Sequence, residues 1–123
     1  MSKGSRYERE LVDRLEDAGY SAARIGASGA GTSRDLPDVI ALSDDRALVI
    51  EAKYRRDGYL ALSEAEIRSL IRFGAHRGVT PLVAFRRPRE PWRLFETDAL
   101  NERGNGYSIT NAVYEKGRTI EEL

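Results

Sequence analysis

The order of elements legible in the chain is one helix, three strands, a second helix and two more strands. That order predicts an α/β domain built on a central mixed five-stranded sheet flanked by helices. Two patterns carry the prediction: apolar residues at helical spacing near the start, and two β-branched runs separated by a tight turn. The third is composition. With 123 residues, 41% hydrophobic and 33% charged, the chain reads as one globular domain, 1–123, and not as a disordered or fibrous sequence.

In residues 3–18, Tyr7, Leu11, Leu15 and Ala18 recur at steps of four and three with Val12 beside them, a helical stripe that Gly19 closes. Residues 20–25 are expected to be a short strand, and 26–37, rich in Gly and Ser, to be a loop. Residues 38–43 and 47–53 are apolar on both faces, which marks central strands, and Asp44-Asp45-Arg46 joins them as an antiparallel hairpin. Ser63-Glu64-Ala65-Glu66 has capping-box spacing and opens a second helix that runs to His76 or Arg77, where Gly78 ends it. Its expected core stripe is Ile67, Leu70, Ile71 and Gly74, which leaves Phe73 about 120° away from Ile67, exposed and free to anchor a partner. Residues 79–86 and 92–96 supply the last two strands, with Trp92 in the core. Beyond Gly104 the sequence is polar and weakly patterned, with at most a helical turn at 119–123.

Several function classes drop out. There is no cysteine and only one histidine, His76, so disulfides, thiolate zinc sites and His-rich metal sites are excluded, and any metal must be held by oxygens, which favours Mg²⁺ or Mn²⁺. No apolar run approaches the roughly 18 residues of a membrane span, and the start carries no apolar signal segment, so a cytoplasmic protein without a membrane partner is expected. Net charge is zero, yet residues 1–95 carry +3 and 96–123 carry −3, and seventeen of the twenty cations are Arg, which binds phosphate as a planar fork.

Strand alternation puts Ala47, Val49, Glu51 and Lys53 on one face, so Glu51 and Lys53 project together from an otherwise apolar strand. The hairpin brings Asp38 beside Glu51, and two adjacent carboxylates call for a divalent cation. On a helical wheel with Glu8 at zero, Leu11, Leu15, Val12 and Tyr7 fall at about −60°, −20°, +40° and −100°. Glu8 thus lies inside the apolar arc, while Glu10, Asp13 and Asp17 are expected to point outward. The same side chains could instead form an internal ion-pair network, Glu8 with Arg24 and Glu51 with Lys53.

Pro37-Asp38, then twelve residues, then Glu51-Ala52-Lys53 is similar to the PD-(D/E)xK pattern of the restriction-endonuclease-like nuclease fold. Together with Lys3-Gly4, Glu8-Arg9-Glu10-Leu11, Gly19-Tyr20, Arg24, Ser28-Gly29, Leu70-Ile71-Arg72-Phe73 and Trp92-Arg93, it resembles the archaeal Holliday junction resolvase family over nearly the whole chain. The resemblance implies a homodimeric, Mg²⁺-dependent enzyme that resolves four-way DNA junctions by paired nicks in recombination and repair, with no small-molecule substrate. It implies that Glu8, Asp38 and Glu51 are active-site acids, Lys53 the catalytic lysine, and Arg9, Arg24 and Ser28 substrate-facing residues. The metal would be held by Asp38, Glu51 and the Ala52 carbonyl, with Glu8 available for a second ion or a metal-bound water. Lys3, Arg6, Arg9, Arg24, Arg34, Arg55 and Arg56 flank those acids as DNA contacts. Arg86, Arg87 and Arg89 form a further cluster, for phosphate or for solvent. The acids alone read a phosphodiester and not its topology, so a nuclease for flaps, damaged duplex or RNA, and a non-catalytic junction binder, are the competing expectations.

Overall fold

In the computed structural model, which describes residues 3–25, 36–57 and 59–123, the stripe near the start winds into α1 (Lys3–Asp17), and Gly19 closes it with φ of +99°. The backbone then runs through β1 (Ser21–Arg24), β2 (Val39–Leu42), β3 (Ala47–Tyr54), β4 (Leu60–Ser63), α2 (Glu64–Gly74), β5 (Val79–Arg86), β6 (Arg93–Glu96), β7 (Asn101–Arg103), β8 (Gly106–Ile109) and the single turn α3 (Asn111–Tyr114). None of the described helices is long and apolar enough to cross a membrane.

The expected mixed sheet is present in the order β1-β2-β3-β5-β6, with β3 and β5 parallel and the other pairs antiparallel. The parallel pair exists because α2 lies in the crossover between its strands. As the central strand, β3 is covered on both faces. Leu48 and Ile50 join Leu11, Leu15, Val39, Leu82, Trp92 and Ile120 under α1, while Val49 joins Leu60, Ile67, Leu70, Phe85, Phe95 and Tyr114 under α2.

Three expectations are corrected. The segment after Gly104 is patterned: β8 pairs with β7 and with β4 in a second, three-stranded sheet, whose tight Gly104-Asn105 turn uses φ of +53° at Gly104. Helix α2 stops at Gly74, short of His76, and Gly78, at φ of +82°, completes the reversal into β5. Its buried face is also rotated from the expected stripe. Ser69 is buried, Phe73 is half-buried against the second core, and Ile71 is 51% exposed. The capping box at Ser63 and Glu66 is formed as read, and it turns the Glu66 side of the helix toward β3.

Arg87 and Arg86 are drawn into structure. Arg87 lies 3.5 Å over the Tyr114 ring and donates to Asn111 Oδ1 at 3.0 Å, while Arg86 pairs with Glu10 at 2.7 Å. Arg89 is exposed, with φ of +60°.

Gly74 meets Pro81 of β5 so closely that a Cβ would fall 2.5 Å from its Cγ. Gly74→Ala is therefore expected to lower the unfolding free energy by about 1–2 kcal/mol in urea denaturation, because overpacking outweighs the roughly 1 kcal/mol gained in helix propensity. A stabilised variant would show that α2 and β5 are less tightly apposed.

Candidate active site

The hairpin ladder ends with Val39 opposite Ile50, and Asp38, the next residue outward, lies beside Glu51 at the open end of the sheet. Asp38 accepts the Ala52 backbone N–H at 2.9 Å through Oδ2, and its own N–H donates to the Ile50 carbonyl at 2.9 Å. Glu51 is only 8% exposed, and its carboxyl lies within hydrogen-bonding reach of Asp38.

Burial raises both acids. Glu51 is pushed up to about 8, first by desolvation and then by the Asp38 charge. Asp38 is raised by burial as well, against the Ala52 hydrogen bond, with Glu8 adding to the rise. Lys53 projects on the same face as Glu51, its Nζ 3.9 Å from Glu51 Oε2, and it bonds Glu66 Oε2. For Glu66, burial is outweighed by hydrogen bonds from Lys53 and Ser63, which hold its carboxyl below the usual range.

Glu8 reaches the same end of the sheet from α1. The ion-pair alternative is partly realised here, since Arg24 Nε sits 3.0 Å from Glu8 Oε1 and Arg24 Nη2 donates to Ser5 Oγ at 3.0 Å. Among the described residues no three acids stand together as a ready cage, so the expected three-acid set is not gathered: Asp38 and Glu51 face each other and Glu8 stands with Arg24. Glu8, Asp38, Glu51, Ala52 and Lys53 nonetheless line one cleft of about 350 Å³, with Gly4, Tyr7, Tyr54 and Arg55.

Of the expected DNA contacts, Arg55 lines this cleft, and Arg6 and Arg9 line a neighbouring groove with Arg14, Arg86 and Arg89. Arg56 is exposed but lines neither. Lys3 opens α1, and its side chain, like Ser28 and Arg34, lies outside the described residues.

Sequence reasoning missed three features. Glu66 was legible only as a cap, although its second oxygen holds Lys53. Tyr7 and Tyr54 stack with centroids 3.8 Å apart between cleft and groove, a pairing that nothing in the local sequence announces. Glu10, expected outward, accepts Trp92 Nε1–H at 2.8 Å and pairs with Arg86. Its long side chain reaches past the end of the apolar arc, making Glu10 a structural residue that ties α1 to Trp92 and Arg86.

The set is chemically suited to a hard dication: it offers only oxygens, and two desolvated carboxylates in contact are relieved by a neighbouring cation. Comparison with known proteins points the same way. A family model described as archaeal Holliday junction resolvase (Hjc) matches residues 1–123. The chain is 35% identical over 122 residues to the crossover junction endodeoxyribonuclease Hjc of Archaeoglobus fulgidus, covering 99% of this chain and 89% of that one. It is 34% identical to the enzyme of the same name from Sulfurisphaera tokodaii, covering 99% and 85%. The solved structure of Archaeoglobus fulgidus Hjc, a Holliday junction resolvase, superposes with a TM-score of 0.88 at 36% identity, covering 98% of this chain and 94% of that one.

Because Glu51 keeps its proton to a higher pH folded than unfolded, the unfolded chain binds fewer protons between about pH 4.5 and 8, and stability falls as pH rises through that window. Denaturation of the metal-free protein is expected to show a loss of roughly 2–3 kcal/mol from this group between about pH 5 and pH 8, absent in Glu51→Gln. A variant whose pH slope matches the wild type would show that Glu51 ionises normally.

Proposed function

The chain belongs to the archaeal Holliday junction resolvase family, and from that premise we propose that it cuts four-way DNA junctions by metal-dependent phosphodiester hydrolysis at Asp38, Glu51 and Lys53. The observation that carries the reading is their convergence, with the Ala52 backbone, at one end of β2 and β3. Asp38, Glu51 and the Ala52 carbonyl would hold a divalent cation, Mg²⁺ or alternatively Mn²⁺. When bound, such an ion acidifies water and neutralises charge on the phosphate.

The residues of the chain do the rest. Lys53 faces the reacting phosphate, orients the attacking water and offsets negative charge that develops on the phosphoryl oxygens. Glu8 fixes Arg24 at the cleft edge, where the guanidinium is placed for a flanking phosphate. Arg6, Arg9 and Arg55 extend that contact along the strand on either side, and Ser28, by family resemblance, with Lys3, Arg34 and Arg56, by their place in the segments flanking the acids, complete it. A cleft that excludes bulk water around Glu51 strengthens each of these interactions.

Asp38→Asn and Lys53→Ala are each expected to reduce cutting of a labelled four-way junction by at least about 100-fold, with junction affinity kept or improved in Asp38→Asn, which removes a negative charge, and largely kept in Lys53→Ala, which leaves the arginines in place. Loss of binding in step with cutting, or cutting at the wild-type rate, would reassign these residues. Flap and linear duplex arms in the same assay separate a junction resolvase from a nuclease of other specificity.

Paired nicks require two sites related by a two-fold axis, which for a chain with one set of acids means a homodimer. The exposed Ile71 and the half-buried Phe73 on α2 provide the apolar surface for it. Ile71→Asp and Phe73→Asp are expected to shift sedimentation toward monomer and to uncouple the two nicks, with Ile71→Asp leaving the fold undisturbed. A wild-type monomer that still makes coupled nicks would refute this assembly.

A further inference from the structure

Lys53 stands between two carboxylates that serve different ends. Glu51, 3.9 Å away, faces Asp38, whereas Glu66, to which the Lys53 ammonium is hydrogen-bonded, belongs to α2. The other oxygen of Glu66, Oε1, accepts the Ser63 backbone N–H at 2.9 Å, and the Glu66 N–H donates to Ser63 Oγ at 3.1 Å. A carboxylate held at one oxygen by a backbone donor of its own helix start has little rotational freedom, so its second oxygen is a fixed point for the ammonium. The pair is also sheltered: the Lys53 side chain is 17% exposed and that of Glu66 35%, unlike the open ion pair of Arg14 and Asp17.

We propose that Glu66 is a positioning residue that holds the Lys53 ammonium away from Glu51, leaving Glu51 to the divalent cation and the lysine in one orientation toward the substrate. The inference rests on the reading of Asp38, Glu51 and Lys53 as the catalytic set. Its logic is competition. Lys53 is long and flexible, and without Glu66 the acid pair at Asp38 and Glu51 is the remaining negative charge it faces. An ammonium on Glu51 occupies the position a dication needs, so removing Glu66 weakens cation binding and misplaces the lysine at the same time. A carboxylate that served only as a helix cap would do neither.

Two variants of the full chain separate these roles. Glu66→Gln keeps an oxygen to accept the Ser63 N–H and loses the charge, while Ser63→Ala keeps that backbone N–H and the carboxylate and loses the hydroxyl cap. Four quantities are measured: urea stability, calorimetric binding of Mn²⁺ to the metal-free protein, affinity for a four-way junction, and the single-turnover cutting rate at saturating cation.

For Glu66→Gln the expected result is near wild-type stability and junction affinity, Mn²⁺ affinity lower by about tenfold, and cutting slower by at least about 100-fold. Ser63→Ala should lose stability while keeping Mn²⁺ binding and cutting within about threefold. Wild-type Mn²⁺ binding and cutting in Glu66→Gln, or equal loss of cutting in both variants, overturns the proposal. Glu51→Gln is run beside them. If it binds Mn²⁺ and cuts normally, the reading of the site falls and this inference with it; if it loses both while Glu66→Gln keeps both, the inference alone falls.

Discussion

The antiparallel register that sets Val39 opposite Ile50 brings the residues just beyond it, Asp38 and Glu51, together at the end of the sheet, and the rest of the site depends on that meeting. Apolar packing fixes the register. Val39, Ala41, Leu48 and Ile50 all point beneath α1, and a slip by one residue would turn every one of them to the other face. The core thus forces two acids together that would not choose each other's company, and burial of Glu51 makes the contact more costly still. Such a pair is poorly explained as a stabilising device, since Lys53 offsets only part of its charge and a buried charged cluster often loses to apolar replacement.

The remaining parts arrive from both sides because β3 is covered on both faces. Alternation sends Glu51 and Lys53 toward the α2 layer, where Glu66 receives the lysine, while the α1 layer brings Glu8, Tyr7 and Arg24 to the same edge. Only at the end of a strand can residues from opposite layers share one cleft, since further inward the sheet itself separates them. The Tyr7–Tyr54 stack closes that edge and divides the acid cleft from the arginine groove beyond it.

What could be read in advance follows the range of the interactions involved. Period-2 and helical patterns are local, so α1, the β2–β3 hairpin, the capping box at Ser63 and the juxtaposition of Asp38 with Glu51 were all legible. The second sheet was not read, although Leu60 and Leu62 alternate with exposed neighbours and Gly104-Asn105-Gly106 carries hairpin chemistry, because short strands are weak signals and β4 lies far along the chain from its partner β8, Ser63 pairing with Gly106. The rotation of α2 escaped for a related reason: a helical wheel weighs apolar residues alone, whereas the Glu66 bond to Lys53 and the contact of Gly74 with Pro81 also decide which side faces in. Glu10 shows the complementary error, since a long carboxylate just outside the apolar arc reached a buried indole N–H that the wheel could not see.

Zero net charge conceals a conflict that the arrangement of the site resolves. Glu8, Asp38 and Glu51 lie amid the arginines proposed to receive phosphates, so the acids repel the strand that Arg6, Arg9, Arg24 and Arg55 attract. A dication held there, as proposed, would reverse the local sign where the phosphate has to approach. Linkage then makes the effect mutual: if the cation raises affinity for the phosphate, the phosphate raises affinity for the cation by the same factor. An acid pair that is too desolvated to be comfortable alone is therefore suited to being completed by its substrate, and the instability at Asp38 and Glu51 becomes the source of that coupling.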